Sequence, residues 1–269
     1  MSTDTKKPDT RTTDAPPPWP RWRTWTIRVW YGLLSLWALS MAQGVVVLAL
    51  GQAGPGERFG YATVTAWKLL ATGGVIAIFW TGGRSVVGFQ ALVAGWLAWA
   101  ASDQLWSVQP TWNSTPIASA LATVVVWILP LVLLRPDRRE LGRLRAQPSA
   151  ILLPLALAVA VPLTVYAVRQ GRSVTDPDAD EITFVMTGLG VVLAAQAVFA
   201  ALRPRATVWF PRLVALTATW VGLAALAWPT DLGSLGTAGG VLLLVWGLAF
   251  LAGLVLETRR AEAKGSSTR

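Results

Sequence analysis

Neither cysteine nor histidine occurs among the 269 residues of this chain. Without cysteine there is no disulfide, no thiolate nucleophile and no Cys-ligated zinc or iron–sulfur centre. Without histidine the commonest general base and metal ligand is missing, and so is the usual axial ligand of haem. His-dependent hydrolases and acyltransferases, haem proteins and His-ligated metalloproteases are therefore excluded. Charge is also scarce: 14% of the residues are charged, against about 25% in a soluble domain. Long polar connections are missing too. None between the apolar runs exceeds 15 residues, too little for an independent catalytic core, since domains need about 50 residues or more. No Walker-type lysine loop is present, and we find no motif that names a reaction, a cofactor or a metal.

What the chain has in abundance is apolar sequence. It is 54% hydrophobic, with a mean hydropathy of +0.50. Eight apolar stretches are legible: Val29–Leu50, Tyr61–Trp80, Val86–Ala101, Ile117–Leu134, Ala150–Val168, Ile182–Leu202, Leu213–Trp228 and Thr237–Leu256. A helix needs about 20 residues to cross about 30 Å of hydrocarbon, so the third and seventh are expected to take in flanking residues. The first stretch exceeds the apolar core of a signal peptide, about 7–15 residues, and is read as an uncleaved anchor. The expected fold is all-α: a polytopic bundle of about eight spans with no soluble domain. Residues 1–24 read as a disordered cytoplasmic tail with an interfacial Trp/Arg segment, 25–258 as the membrane domain, and 259–269 as a cytoplasmic tail.

Charge sets the orientation. With the N-terminus inside and strict alternation, nineteen of the 23 basic residues fall in inner segments and three (Arg58, Arg169, Arg172) fall in outer ones. That is the bias of cytoplasmic loops, so both termini are expected in the cytoplasm and the chain in the plasma membrane. The same rule accounts for the net charge of +9 without invoking nucleic acid. The preference for arginine over lysine, with much Ala, Gly and Val, has a bacterial flavour. A weak internal repeat is also visible. Arg84 and Asp103 bracket the third span as Arg212 and Asp231 bracket the seventh, and Val86 and Val93 match Val214 and Val221. Two four-helix halves, 25–135 and 150–258, would give a parallel repeat of the kind found in some transporters, although orientation alone also favours Arg inside and Asp outside.

Few residues stand out as candidates for function. Lys68 is the one charge clearly inside a span. It reads either as a site for a substrate anion or as a lysine that snorkels outward or pairs with Asp103. Gln43, Gln90 and Gln196 put amides into the first, third and sixth spans, as helix-packing glue or as a polar lining. Pro162 breaks a backbone bond in the fifth span and makes it a candidate hinge, whereas Pro154 falls in the first turn, where proline is tolerated. Small pairs such as Gly73/Ala77, Ala91/Gly95 and Ala249/Gly253 permit close helix contact.

The loops carry less. In the inner connection, Arg138, Arg139, Arg143 and Arg145 surround Leu141 and Leu144, which suggests a short helix on the anionic lipid surface or a docking site for a cytoplasmic partner. Outside, Asp176, Asp178 and Asp180 have the spacing of a calcium loop, but Glu181 stands where its glycine belongs, so a solvated loop is expected. Asn113-Ser114-Thr115 fits a glycosylation acceptor. Of the 16 tryptophans, some mark the interfaces. Trp96, Trp99, Trp127, Trp220 and Trp246 lie deeper, where they fill the bundle or line a pocket. Three functions remain open: a transport or permease-type subunit for a small or amphipathic solute, a non-catalytic accessory or assembly subunit of a membrane complex, and an enzyme acting on a lipid-linked substrate through Asp, Arg or Lys. The lipid bilayer is the expected partner, possible further subunits aside, and no cofactor is implied.

Overall fold

The computed structural model describes residues 20–40, 43–102, 105, 121, 124–134, 146–173, 181–202 and 209–266. Among these, all regular structure is helical. In chain order the helices are α1 (Arg21–Ser40), α2 (Gln43–Ala49), α3 (Arg58–Thr81) and α4 (Val86–Ser102). A π-helical turn (Val124–Ile128) then runs into α5 (Leu129–Leu134). The last four are α6 (Leu152–Ser173), α7 (Glu181–Leu202), α8 (Trp209–Ala227) and α9 (Gly236–Ser266). Among the described residues four segments are long and apolar enough to cross a membrane: Leu152–Ser173, Val185–Leu202, Trp209–Ala227 and Gly236–Arg260. They are compatible with a membrane protein.

Several helix boundaries differ from the sequence reading, each for a local reason. The first helix begins at Arg21 instead of Val29, because the Trp/Arg lead-in is itself helical and opens on the Pro20 carbonyl, which accepts from Arg23 N–H at 3.0 Å. Proline just ahead of a helix leaves no donor to satisfy. The rest of the expected tail, residues 1–19, lies outside the described residues. At the other end α9 runs on to Ser266, since the Arg-, Ala-, Glu- and Lys-rich stretch after Thr258 consists largely of good helix formers. The seventh span does gain a turn, starting at Trp209 with Pro211 inside its first turn. The third keeps the expected start and ends one residue later.

α3 and α7 hold the centre. α3 packs against α1, α2, α4, α7 and α8; α7 packs against α3, α4, α6 and α8. The most extensive pairs are α8 with α9 and α6 with α7. A large buried cluster joins α3, α4 and α6 to α9, with Phe59, Met186, Phe210 and Phe250 among its members. A second cluster, built on Ile27, Tyr31, Ile78, Leu92, Trp127 and Leu131, joins α1 to α3, α4 and α5. Close approach depends on missing side chains at α3 and α4, where a Cβ on Gly74 would run into the Gly88 carbonyl and the Leu92 backbone. Backbones meet this closely only through small residues.

The π-turn has a sequence cause. Pro130 carries no N–H, so the Val126 carbonyl loses its helical donor. The Trp30 indole N–H donates to that carbonyl at 2.9 Å, and the Tyr31 hydroxyl donates to the next one, Trp127, at 2.6 Å. Inside lipid an unsatisfied backbone carbonyl costs several kcal/mol, so α1 completes what the proline interrupts.

Helix ends are tied across the bundle. Ser149 caps α6: its Oγ accepts from the Leu152 N–H at 2.9 Å and donates to Glu257 Oε1 on α9 at 2.6 Å. The same segment pairs with the end of α7, through Ser149 N–H to Ala201 O at 3.0 Å and Gln147 N–H to Leu202 O at 2.8 Å. At the opposite end, Asp231 in the α8–α9 turn accepts from the Phe59 N–H at the start of α3 at 3.1 Å. In that turn Leu232 N–H donates to Gly56 O at 2.9 Å, and the Tyr166 hydroxyl of α6 donates to Gly233 O.

Candidate functional site

Of the residues singled out in the sequence, the structure brings α7's amide to α4. Gln196 is fully buried, and its Nε2 donates to the Ala91 carbonyl at 2.8 Å, one residue from Gln90. The Gln196 Oε1 has no hydrogen-bond partner. Gln90 is itself buried. Helix–helix hydrogen bonds of this kind contribute about 0.6 kcal/mol each, enough to fix register and too little to hold the helices together.

Beside this contact lies a cavity of about 890 Å³, walled by α4, α6 and α7 with Ile128 from the π-turn. On α7 its lining runs from Val191 to Leu202, which at 1.5 Å per residue is about 16 Å. α4 contributes Phe89, Gln90, Val93, Ala94 and Leu97. Two side chains of the lining are polar, Gln90 and Thr164. The Thr164 hydroxyl already donates to Ala160 O in its own helix at 2.7 Å. The surface is thus a long apolar trough with an amide side chain in its wall, level with the middle of the α7 lining. Its size lies in the range of small-molecule sites, about 300–1,000 Å³, which are mostly apolar with a few polar groups.

A second, smaller cavity of about 300 Å³ lies between α6 and α9 and includes Pro162 in its lining. α6 continues through Pro162. Proline removes the donor for the Ala158 carbonyl, and Ala158 lines the same cavity. Across it, the Trp246 indole donates to the Leu155 carbonyl at 2.7 Å.

The remaining candidates are not brought together by described residues. Lys68 lies within α3 and Gln43 opens α2, and their side chains lie outside the described residues. So do Asp103, the arginines at 138, 139, 143 and 145, the acidic run 176–180 and Asn113. Asp231, the counterpart of Asp103 in the repeat register, acts as a helix cap. Among the described residues no group of three or more Asp, Glu, His or Cys side chains could hold a metal ion.

The deep tryptophans divide. Trp99 and Trp127 are buried, and Trp96 stacks on Trp127 with ring centroids 5.1 Å apart. Trp220 is partly exposed, yet its indole donates to the Ala62 carbonyl on α3 at 2.7 Å. Trp30, Trp220 and Trp246 therefore act as ties, each donating to a backbone carbonyl of another helical segment. This role is invisible in the sequence, where all the tryptophans look alike; the one available signal was Pro130, which guarantees a carbonyl in need of a donor. Together these features define a chain whose described residues are helical, with helices able to cross a membrane and a sizeable lateral cavity between α4, α6 and α7. No family model matches the chain, and no curated protein or solved structure shows significant similarity to it.

Proposed function

We propose that this chain is a transport or permease-type membrane subunit that handles a small or amphipathic solute. The observation that carries the reading is the cavity of about 890 Å³ between α4, α6 and α7, apolar along its length with the Gln90 amide in its wall. An amphipathic molecule fits such a lining, with its apolar part against Val191, Ala194 and Val198 and a polar group at the amide. The packing order adds support. A shift of four spans carries the α4–α7 contact onto α8–α3, and the α1–α3 contact onto α6–α7. That is the order expected of two four-helix halves, 25–135 and 150–258, meeting at α3 and α7. In this reading the chain crosses the plasma membrane about eight times with both termini in the cytoplasm. Lys68 and Asp103 form a charge pair or anion site on the outer side, Pro162 is a hinge, and the 138–145 arginines rest on anionic lipid.

Proteoliposomes loaded or challenged with amphipathic dyes of either charge, such as rhodamine 6G and carboxyfluorescein, test it. Uptake by the native chain should fall at least about tenfold in Leu97→Trp, which narrows the trough from an exposed position, and in Lys68→Met, with expression unchanged. No uptake of any dye, or uptake indifferent to both substitutions, refutes the reading.

A second reading, an accessory or assembly subunit of a membrane complex, draws on one observation. Leu157, Val161 and Val165 form an exposed apolar stripe on α6, with relative exposures of 52%, 67% and 46%. Lipid covers such a stripe as well as protein does. Recovery of a stoichiometric partner in mild detergent, lost on Val161→Lys, favours this second reading; a clean monomer counts against it.

A further inference from the structure

A separate groove lies on the flank of the molecule, away from the cavity above. It has a volume of about 730 Å³ and is formed by one face of α1 and the last turn of α3. Trp25 and Trp80 stand at its edges, 64% and 73% exposed. Its walls are apolar along α1 through Val29, Leu33 and Leu36. Gly32 contributes no side chain to the floor, where the Phe79 ring lies 3.3 Å from the place a Cβ would occupy. From Trp25 to Leu36 the groove runs eleven residues of helix, about 16 Å, close to half of a hydrocarbon core about 30 Å thick.

One charged side chain lines this groove, Arg28. Its Nε lies 3.4 Å from the position of a Cβ on Gly82. Gly82, with φ +58°, closes the C-terminus of α3. Arg21 and Arg23 precede Arg28 in the same helix, and Arg84 is exposed two residues beyond Gly82. The Arg23 guanidinium sits 5.3 Å from the Trp22 ring centroid. No Asp or Glu occurs in Arg21–Ser40, so α1 itself carries no acid against Arg21, Arg23 and Arg28. Tryptophan prefers the headgroup layer, and basic residues there attract anionic lipid.

We infer that this groove holds one anionic phospholipid of the leaflet at the N-terminal end of α1, with its phosphate at Arg28 and an acyl chain along Val29, Leu33 and Leu36 over Gly32. Charge complementarity selects the headgroup, the two tryptophans fix its depth, and the length of the trough matches one chain in one leaflet. The inference rests on the chain crossing a membrane, not on the solute it handles. The lipid would fasten α1 to the end of α3, beside the ties from Trp30 and Tyr31.

Native mass spectrometry of the full chain, delipidated in detergent and mixed with phosphatidylglycerol or phosphatidylcholine, tests it. One phosphatidylglycerol should be retained in preference to phosphatidylcholine. Arg28→Gln should cut retention about fivefold, the effect of one basic residue at an anionic surface. Leu33→Trp, at an exposed position where a larger ring fills the trough, should cut it at least as much. Arg260→Gln on α9 should leave it unchanged. Equal retention of both lipids overturns the inference, as does loss with Arg28→Gln but not with Leu33→Trp, since that pattern is surface adsorption. Size-exclusion elution at the native volume shows that each variant is folded. Loss of dye uptake with lipid retention intact would fall on the solute reading alone.

Discussion

α6 and α7 are neighbours of nearly equal hydropathy, 1.8 and 2.0 over their apolar windows, yet 28% of one window is buried and 72% of the other. Apolarity therefore indicates that a helix belongs in lipid and says little about whether it sits in the middle of the bundle. What separates the two is shape and a fully buried amide. α7 is made of Gly188, Gly190, Ala194, Ala197, Ala200 and Ala201 around Gln196, side chains that let α3, α4 and α6 come close. α6 points Leu157, Val161 and Val165 outward. Lipid tails are as apolar as leucine, so packing and polar contacts, not hydrophobicity, sort helices within a membrane.

The sharpest way to break this contrast is Gly188→Val. A Cβ there would penetrate the Trp99 ring, which is itself buried, and overpacking of this kind costs about 3 kcal/mol or more. Little protein should elute as a monodisperse peak, and its thermal midpoint in detergent should drop sharply. Tolerance of this change equal to that of Val161→Leu on α6 would erase the distinction. Trp30→Phe comes next. It keeps the ring but removes the donor to Val126 O, and the loss of this hydrogen bond on the outer face of the bundle should cost about 1–1.5 kcal/mol in the same melt. Ser149→Ala removes the cap of α6 and its link to Glu257; about 1 kcal/mol is expected, with Ser149→Thr recovering most of it. Gln196→Leu should cost about 0.6 kcal/mol, since it removes one interhelical bond along with an Oε1 that has no partner. Val161→Ala on the outer face of α6 should change the midpoint least, within about 0.5 kcal/mol.

The sequence reading succeeded where periodic composition is strong. The last four helices start within about four residues of the expected fifth to eighth spans, and the all-helical class follows from long apolar runs with short connections. It had less purchase on tertiary relations. Gln90 and Gln196 were visible as amides in separate spans, but nothing in the sequence says that Gln196 reaches the backbone next to Gln90. The cavity is made by α4, α6 and α7 together, and its lining of Val, Ala and Phe is indistinguishable in sequence from core or lipid-facing surface. The π-turn arises because Pro130 removes a donor and α1 supplies another, a compensation between segments almost a hundred residues apart.

The most direct test of the account is the side of the membrane on which the turns lie. The absence of native cysteine makes single-cysteine reporters unambiguous. Thr230→Cys in the α8–α9 turn, Gln147→Cys before α6 and Arg260→Cys near the end of α9 can each be treated with a membrane-impermeant maleimide. On intact cells Thr230→Cys is expected to label, while Gln147→Cys and Arg260→Cys label only after permeabilisation. Labelling of all three from outside, or the reverse pattern, would contradict the arrangement on which the cavity, the lipid groove and the orientation all depend.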